Sequence, residues 1–167
     1  VHVPRVTDVP ALPAAWWDAG LIVSDANFFD ATSMSVEEID AFLKEQVPSC
    51  ATWHPKSDRA GDSGWPYFCL KDRTWVGQRL HVVSDDGRGY CDPVEPSTQA
   101  SSAEVISIIA TACDISPKTL LVTLEKEQGL VTDRWPWESQ RNAAMGYACY
   151  DSAPCVDAYL GFVGQVY

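Results

Sequence analysis

The sequence predicts a mainly α-helical (α+β) fold, built as one domain and braced by disulfides. In three segments, apolar residues at helical spacing follow a capping residue. Six cysteines occur in only 167 residues. A chain of this length, 46% apolar, can bury a sizeable core. Residues 1–20 are interrupted by prolines and predict an extended N-terminal arm, and residues 21–167 predict the folded domain.

The first predicted helix covers roughly 36–46. Ser35 and Glu38 have the spacing of a capping box, in which each side chain accepts the other residue's backbone N–H. Ile39, Phe42 and Leu43 follow at helical spacing, so we expect them to face the core. Pro48 predicts where this helix stops.

The second predicted helix covers roughly 102–113. Ser101 and Glu104 repeat the capping-box spacing at its start. Its apolar face is wide, which is typical of a buried helix, and consists of Val105, Ile106, Ile108, Ile109 and Ala112.

The third predicted helix begins after Ser116 as N-cap and ends before Gly129. Pro117 occupies its first position, where a missing N–H costs nothing. Leu120, Leu121 and Leu124 centre one face, and the last turn carries Glu125 and Glu127 on either side of that face.

The remaining segments are irregular. Residues 71–83 predict a small β-hairpin from two runs of strand-forming residues, and 84–89 predict a turn without a metal. Residues 132–155 predict a long loop, and 157–167 predict a helix interrupted by Gly161 and Gly164.

The cysteines indicate disulfides formed in an oxidising compartment, and therefore a secreted, extracellular protein. No C-x-x-C pair occurs and only three histidines are present (His2, His54 and His81), so we expect no zinc. Six cysteines allow 15 connectivities. The short spacing favours Cys149–Cys155 first, with Cys50–Cys69 and Cys91–Cys113 as nearest-neighbour pairs.

The net charge of −11 disfavours nucleic acid, whose phosphates are bound by Lys and Arg, and it does not favour an anionic membrane. We expect no cofactor and a monomer. The chain starts at Val1 without a basic-then-apolar leader, so we expect a signal peptide to have been removed already.

The end of the third helix is the candidate active site. A carboxylic acid kept protonated by apolar surroundings can protonate a glycosidic oxygen, and Glu127 borders the Leu face. Trp135, Trp137 and Tyr147 follow in the next loop and can stack on sugar rings. Gly146 lets the backbone approach a ligand closely. Candidates for a second acid are Asp133, Glu138, Asp151 and Asp25, of which we favour Asp133, just past the helix end.

The pair Glu127-Gln128 and the segment Ala144-Met145-Gly146-Tyr147 resemble the lysozyme-like superfamily, especially lytic transglycosylases and goose-type lysozymes. The resemblance implies a catalytic domain over 21–167 in which Glu127 is the general acid. It implies that Gln128 and the Met145–Tyr147 segment line a saccharide cleft. The wider chain also resembles secreted actinobacterial proteins with cell-wall roles.

The resemblance implies a muramidase that cuts peptidoglycan between N-acetylmuramic acid and N-acetylglucosamine. Three alternatives stay open: a lytic transglycosylase, a chitinase-like enzyme, and a non-catalytic carbohydrate-binding or adhesion module. A hydrolase that inverts the configuration of the sugar needs a second carboxylate to activate water, whereas a transglycosylase needs none.

Overall fold

A computed structural model describes Gly20 and residues 22–51, 68–76, 89–94, 99–150 and 153–167. The predicted N-terminal arm lies outside these residues except for Gly20. The helices are α1 (Asp25–Phe28), α2 (Val36–Gln46), α3 (Ser102–Cys113), α4 (Pro117–Gln128), α5 (Glu138–Asn142) and α6 (Phe162–Val166). Two short strands, β1 (Thr74–Trp75) and β2 (Ala100–Ser101), and 3-10 turns at Leu70–Asp72 and Asp157–Tyr159 complete the described elements.

Helices α2 and α3 begin and end where the sequence predicts. In both, the capping box forms as expected: the Ser35 N–H donates to Glu38 Oε2 at 2.8 Å, and the Ser101 N–H donates to Glu104 Oε2 at 2.7 Å. These bonds satisfy backbone donors that the first helical turn leaves without intrahelical partners.

Helix α4 is confirmed with the predicted termini. The Ser116 hydroxyl accepts the Lys118 N–H at 3.3 Å, and Pro117 occupies the first turn. Gly129 ends the helix in the left-handed region with φ of 65°, a conformation that costs glycine little. Its N–H donates to Glu125 O at 2.8 Å.

Helix α3 lies at the centre of the core and contacts α2, α4, α6 and both strands. Val105, Ile106 and Ile109 of its predicted apolar face are buried, Ala112 is half-buried, and Ile108 is exposed. Ser102, at the start of α3, is buried and links two elements: it accepts from Trp75 Nε1 at 2.8 Å and donates to Leu70 O at 2.6 Å. The Trp75 ring stacks on Phe162 of α6 with centroids 4.3 Å apart.

The small antiparallel sheet differs in one respect from the predicted hairpin. Thr74 pairs with Ser101, and Trp75 pairs with Ala100, so β1 joins a strand about 25 residues away rather than its sequence neighbour. The second half of the predicted hairpin, 80–83, lies outside the described residues. The loop over 132–155 contains one short helix, α5, and Gly161, at φ of 99°, separates the last 3-10 turn from α6.

Three disulfides join Cys50 to Cys69, Cys91 to Cys113, and Cys149 to Cys155. The first ties the segment after α2 to the 3-10 turn that contacts α3, and the second ties the end of α3 to residues 89–94. The mainly helical α+β class with disulfide bracing is therefore confirmed.

No single helix among the described residues has the length and apolar character needed to cross a membrane. Helices α3 and α4 together meet that length and composition, but the chain bends by 117° between them.

Candidate functional site

Glu127 lies in the last turn of α4 and is exposed to solvent. Its side chain retains 34% of its accessible surface, and Oε1 forms an ion pair with Lys126 Nζ at 3.0 Å. The predicted acid required a half-buried carboxylate against the Leu face. The Glu127 carboxylate lies between the Lys126 ammonium group and the backbone of Gly146.

Gly146 meets the carboxylate of Glu127, although 18 residues separate them in sequence. A Cβ built at Gly146 would stand 3.0 Å from Glu127 Oε2, and the residue has φ of 70°. The left-handed conformation favours glycine here, and a Cβ would in addition displace the Glu127 carboxylate by a few tenths of an ångström. The structure therefore brings together two residues that the sequence grouped in one site.

Gln165 holds the segment 145–147 in this position. It is buried, with 4% exposure, and its Oε1 accepts the N–H groups of Met145 and Tyr147 at 3.2 and 3.1 Å. Its Nε2 donates to the carbonyls of Tyr147 and Tyr159 at 2.9 and 2.7 Å. Sequence reasoning missed this residue; the available signal was a lone amide in the apolar run 162–167.

Tyr147 combines a fixed backbone with an accessible ring. Both its N–H and its C=O bind Gln165, yet the residue is 58% exposed. One edge of the ring packs against Tyr159 in a T-shaped pair with centroids 5.0 Å apart. Met145, two residues earlier, packs against the core instead.

Asp133 organises the turn that follows α4. Its Oδ1 accepts the Trp135 N–H at 2.8 Å, and its Oδ2 accepts from Gln140 Nε2 at 3.3 Å. The same Gln140 amide donates to Gln128 O at 2.7 Å, and Gln140 Oε1 accepts the Trp137 N–H at 2.8 Å. These bonds fix the half-buried Trp135 and Trp137 relative to the end of α4.

The other carboxylates considered for catalysis are dispersed. Glu125 accepts from the N–H and hydroxyl of Thr132 at 3.1 and 2.7 Å. Asp25 is exposed on α1, Glu138 begins α5, and Asp151 lies outside the described residues.

One cluster among the described residues has metal-ligand types within reach of one another: Cys50, Cys69 and Asp72. Both sulfurs are joined in a disulfide, so neither is available as a thiolate ligand. The three histidines of the chain lie outside the described residues.

An apolar groove of about 770 Å³ lies between α2 and α4 and reaches the last turn of α4. Lys126 and Glu125 line the groove, and Lys126 also pairs with Glu127. We call the surface formed by Glu127, Gly146 and Tyr147 the Glu127 face. It therefore adjoins the groove along the last turn of α4.

No curated protein and no solved structure matches the chain. The model of one family does match: it is described as LasA, N-terminal domain, and it covers residues 21–166. LasA is a family of secreted staphylolytic peptidases.

This match corrects the functional predictions. The muramidase assignment and the glycoside hydrolase class are wrong, and with them the general-acid role assigned to Glu127, because the matched model is the N-terminal domain of LasA, a peptidase, and gives no support to a lysozyme-like relationship. The physical reason is local: the Glu127–Gly146 contact can form in any fold that places a loop against a helix end, and fold geometry alone does not specify chemistry. Since the match spans nearly the whole chain, the protein belongs to the family of LasA N-terminal domains.

Proposed function

We propose that this chain is the N-terminal domain of a secreted, LasA-like peptidase that cleaves peptide bonds in bacterial peptidoglycan. The observation that carries the proposal is the family match over residues 21–166. The proposed bond class is supported by the glycyl-glycine endopeptidase activity of the LasA family, which acts on the peptide part of the wall rather than on the glycan.

Extracellular action is supported by the disulfides. Three bridges in 167 residues are typical of chains that fold in an oxidising compartment and rare in the cytosol. Two bridges anchor segments against the α3-centred core, so the fold would lose bracing under reducing conditions.

The Glu127 face is the surface that we assign to the cell wall. Tyr147 offers an exposed ring on a backbone that the buried Gln165 holds at both N–H and C=O. An aromatic side chain that is accessible and already ordered loses little conformational entropy on binding. Glu127 contacts the neighbouring Gly146, and Tyr150, three residues further along the chain, is 63% exposed.

The reaction class can be tested with purified staphylococcal peptidoglycan. The chain is incubated with the walls, both alone and within its complete gene product, and two products are measured: free amino groups from peptide cleavage and reducing sugars from glycan cleavage. We expect amino groups to rise, with new glycine termini by mass spectrometry. Release of reducing sugars without new amino groups from the complete gene product would overturn the proposal.

The wall-facing surface can be tested by sedimentation of the chain with insoluble walls. Tyr147→Ala should reduce the bound fraction, because it removes the accessible ring. Tyr90→Ala is the matched control, since Tyr90 is 73% exposed and lies in a different segment, next to the Cys91 that is bridged to the end of α3. Equal binding of the two variants would show that Tyr147 does not contact the wall.

A further inference from the structure

The groove between α2 and α4 is bounded at both ends. Near the starts of the two helices, the hydroxyls of Ser33 and Ser116 are 2.7 Å apart. Beyond their ends, the Ala51 N–H donates to Arg134 O at 2.8 Å. The two helices therefore run in the same direction, and each packs on α3 beneath the groove.

The two walls differ in charge: the α2 wall is acidic, and the α4 wall, with two lysines and one glutamate, is on balance basic. Residues at intervals of three or four lie on one helical face, so each wall presents a charge, an apolar side chain and a second charge. The α2 wall presents Glu38, Phe42 and Glu45, and the α4 wall presents Lys118, Val122 and Lys126. Glu125 also lies on the α4 wall, where its carboxylate accepts from the N–H and hydroxyl of Thr132. Met34, Leu121 and Val131 contribute to the apolar lining between them.

Two of these charges are available for a ligand. Lys118 Nζ and the Glu45 carboxylate lie on opposite walls and form no ion pair or hydrogen bond with another residue of the described part of the chain. Lys126 pairs along its own helix with Glu127, and Glu38 binds the Ser35 N–H, so neither pairs across the groove.

We propose that this groove binds the peptide portion of peptidoglycan, a short chain that carries ammonium, carboxylate and methyl groups together. The inference rests on the proposed function and names the part of the polymer that this domain holds. The acidic wall accepts the ammonium group, the basic wall accepts the carboxylate, and the apolar lining accepts the methyl groups.

The charge pattern and the size of the groove both favour this occupant. A neutral glycan strand would leave the two charged walls unmatched, and a ligand of a single sign would be repelled by one of them. The volume of about 770 Å³ lies within the range of pockets for small ligands, and suits a few residues of peptide.

The probe is the synthetic tetrapeptide L-Ala-γ-D-Glu-L-Lys-D-Ala, titrated into the intact chain by calorimetry at low salt, with amide chemical shifts recorded in parallel. We expect saturable binding, shifts confined to α2, α4 and residues 131–132, and weakening as salt rises. Lys118→Glu and Glu45→Lys should each weaken binding about fivefold, the effect of roughly 1 kcal/mol at an exposed ion pair.

Matched controls separate the groove from general charge. Glu37→Lys makes the same charge change as Glu45→Lys on the exposed side of the same helix, outside the groove, and should leave the affinity unchanged. Ile108→Ser, on the exposed face of α3, controls for Val122→Ser, which should weaken binding.

Three outcomes overturn the proposal: no saturable binding of the tetrapeptide, equal weakening by Glu37→Lys and Glu45→Lys, or a dimer by light scattering that Val122→Ser dissociates, which would identify a second copy as the occupant. If peptide cleavage of walls persists in the absence of tetrapeptide binding, the groove assignment fails and the proposed function stands. If the tetrapeptide binds but no peptide bond in the wall is cleaved by the complete gene product, the proposed function fails alone.

Discussion

The Oε2 atom of Glu127 packs closely against Gly146. A Cβ at Gly146 would lie 3.0 Å from that oxygen, and the glycine itself has φ of 70°. The contact closes the loop 145–147 onto the end of α4. Gln165 binds the backbone of the same loop at Met145 and Tyr147, so the segment that carries the exposed Tyr147 is held by two sets of contacts.

Gly146→Ala should destabilise the fold by about 1–2 kcal/mol, because an L-residue is strained in the left-handed region and the new methyl meets Glu127. Gly129→Ala is the control. Gly129 has φ of 65° but no atom within 4 Å of a built Cβ, so it should show the backbone cost alone, about 1 kcal/mol. Urea unfolding measures both. Glu127→Ala should recover a few tenths of a kcal/mol in the Gly146→Ala background only; recovery in both backgrounds would contradict the contact.

Gln165→Leu should cost about 3 kcal/mol, because the substitution leaves two backbone donors and two carbonyls of the loop without their buried partner. Gln99→Leu removes an exposed amide that donates to Thr74 Oγ1 at 2.9 Å and should change stability by only about 0.5 kcal/mol. Chemical denaturation compares the two, and near-ultraviolet circular dichroism should report a changed Tyr147 environment in Gln165→Leu. A loss no larger than that of Gln99→Leu would show that Gln165 does not hold the loop.

Acid pH should weaken the start of α3. The Ser101 N–H and then the Ser101 hydroxyl hold the pKa of Glu104 below its ordinary value of 4.5. A group whose folded pKa is lowered adds stability that is present above the unfolded pKa and lost as pH falls through the folded pKa. Glu104→Gln should therefore flatten the fall in unfolding free energy below about pH 4.5.

Ser101→Ala tests the same interaction from the other side. The substitution should lower the free energy of unfolding by about 1 kcal/mol at neutral pH, because the helix loses its N-cap. It should also remove part of the fall in unfolding free energy that occurs at acid pH. An unchanged pH profile in both variants would show that Glu104 does not contribute to it.

Replacing both cysteines of the Cys91–Cys113 bridge with alanine should lower the free energy of unfolding by about 3 kcal/mol. The same replacement at Cys149–Cys155 should lower it by about 2 kcal/mol. The bridges close loops of 22 and 6 residues, and a longer loop loses more entropy in the unfolded chain. All four cysteines are half-buried, so cavity effects are comparable. Non-reducing urea denaturation gives both values; a larger loss for the short loop would point to native contacts rather than chain entropy.

Local interactions made α2, α3 and α4 predictable. A capping box, a proline in the first turn and a glycine after the last turn act within a few residues, so their outcome does not depend on the rest of the fold. The apolar periodicity likewise identified Leu120, Leu121 and Leu124 as buried. The same reasoning associated Glu127 with Gly146, a contact that the structure contains.

The sequence by itself therefore determined the three main helices, their buried faces and the disulfide-braced α+β class. Only the tertiary structure decided that β1 pairs with Ala100–Ser101, that Gln165 holds the Tyr147 loop, and that α2 and α4 enclose a groove with Glu45 on one wall and Lys118 on the other. It also decided that Glu127 is exposed beside Lys126. The reason is physical: caps and periodicity depend on neighbours in sequence, whereas strand partners, buried amides and grooves depend on which surfaces α3 brings together.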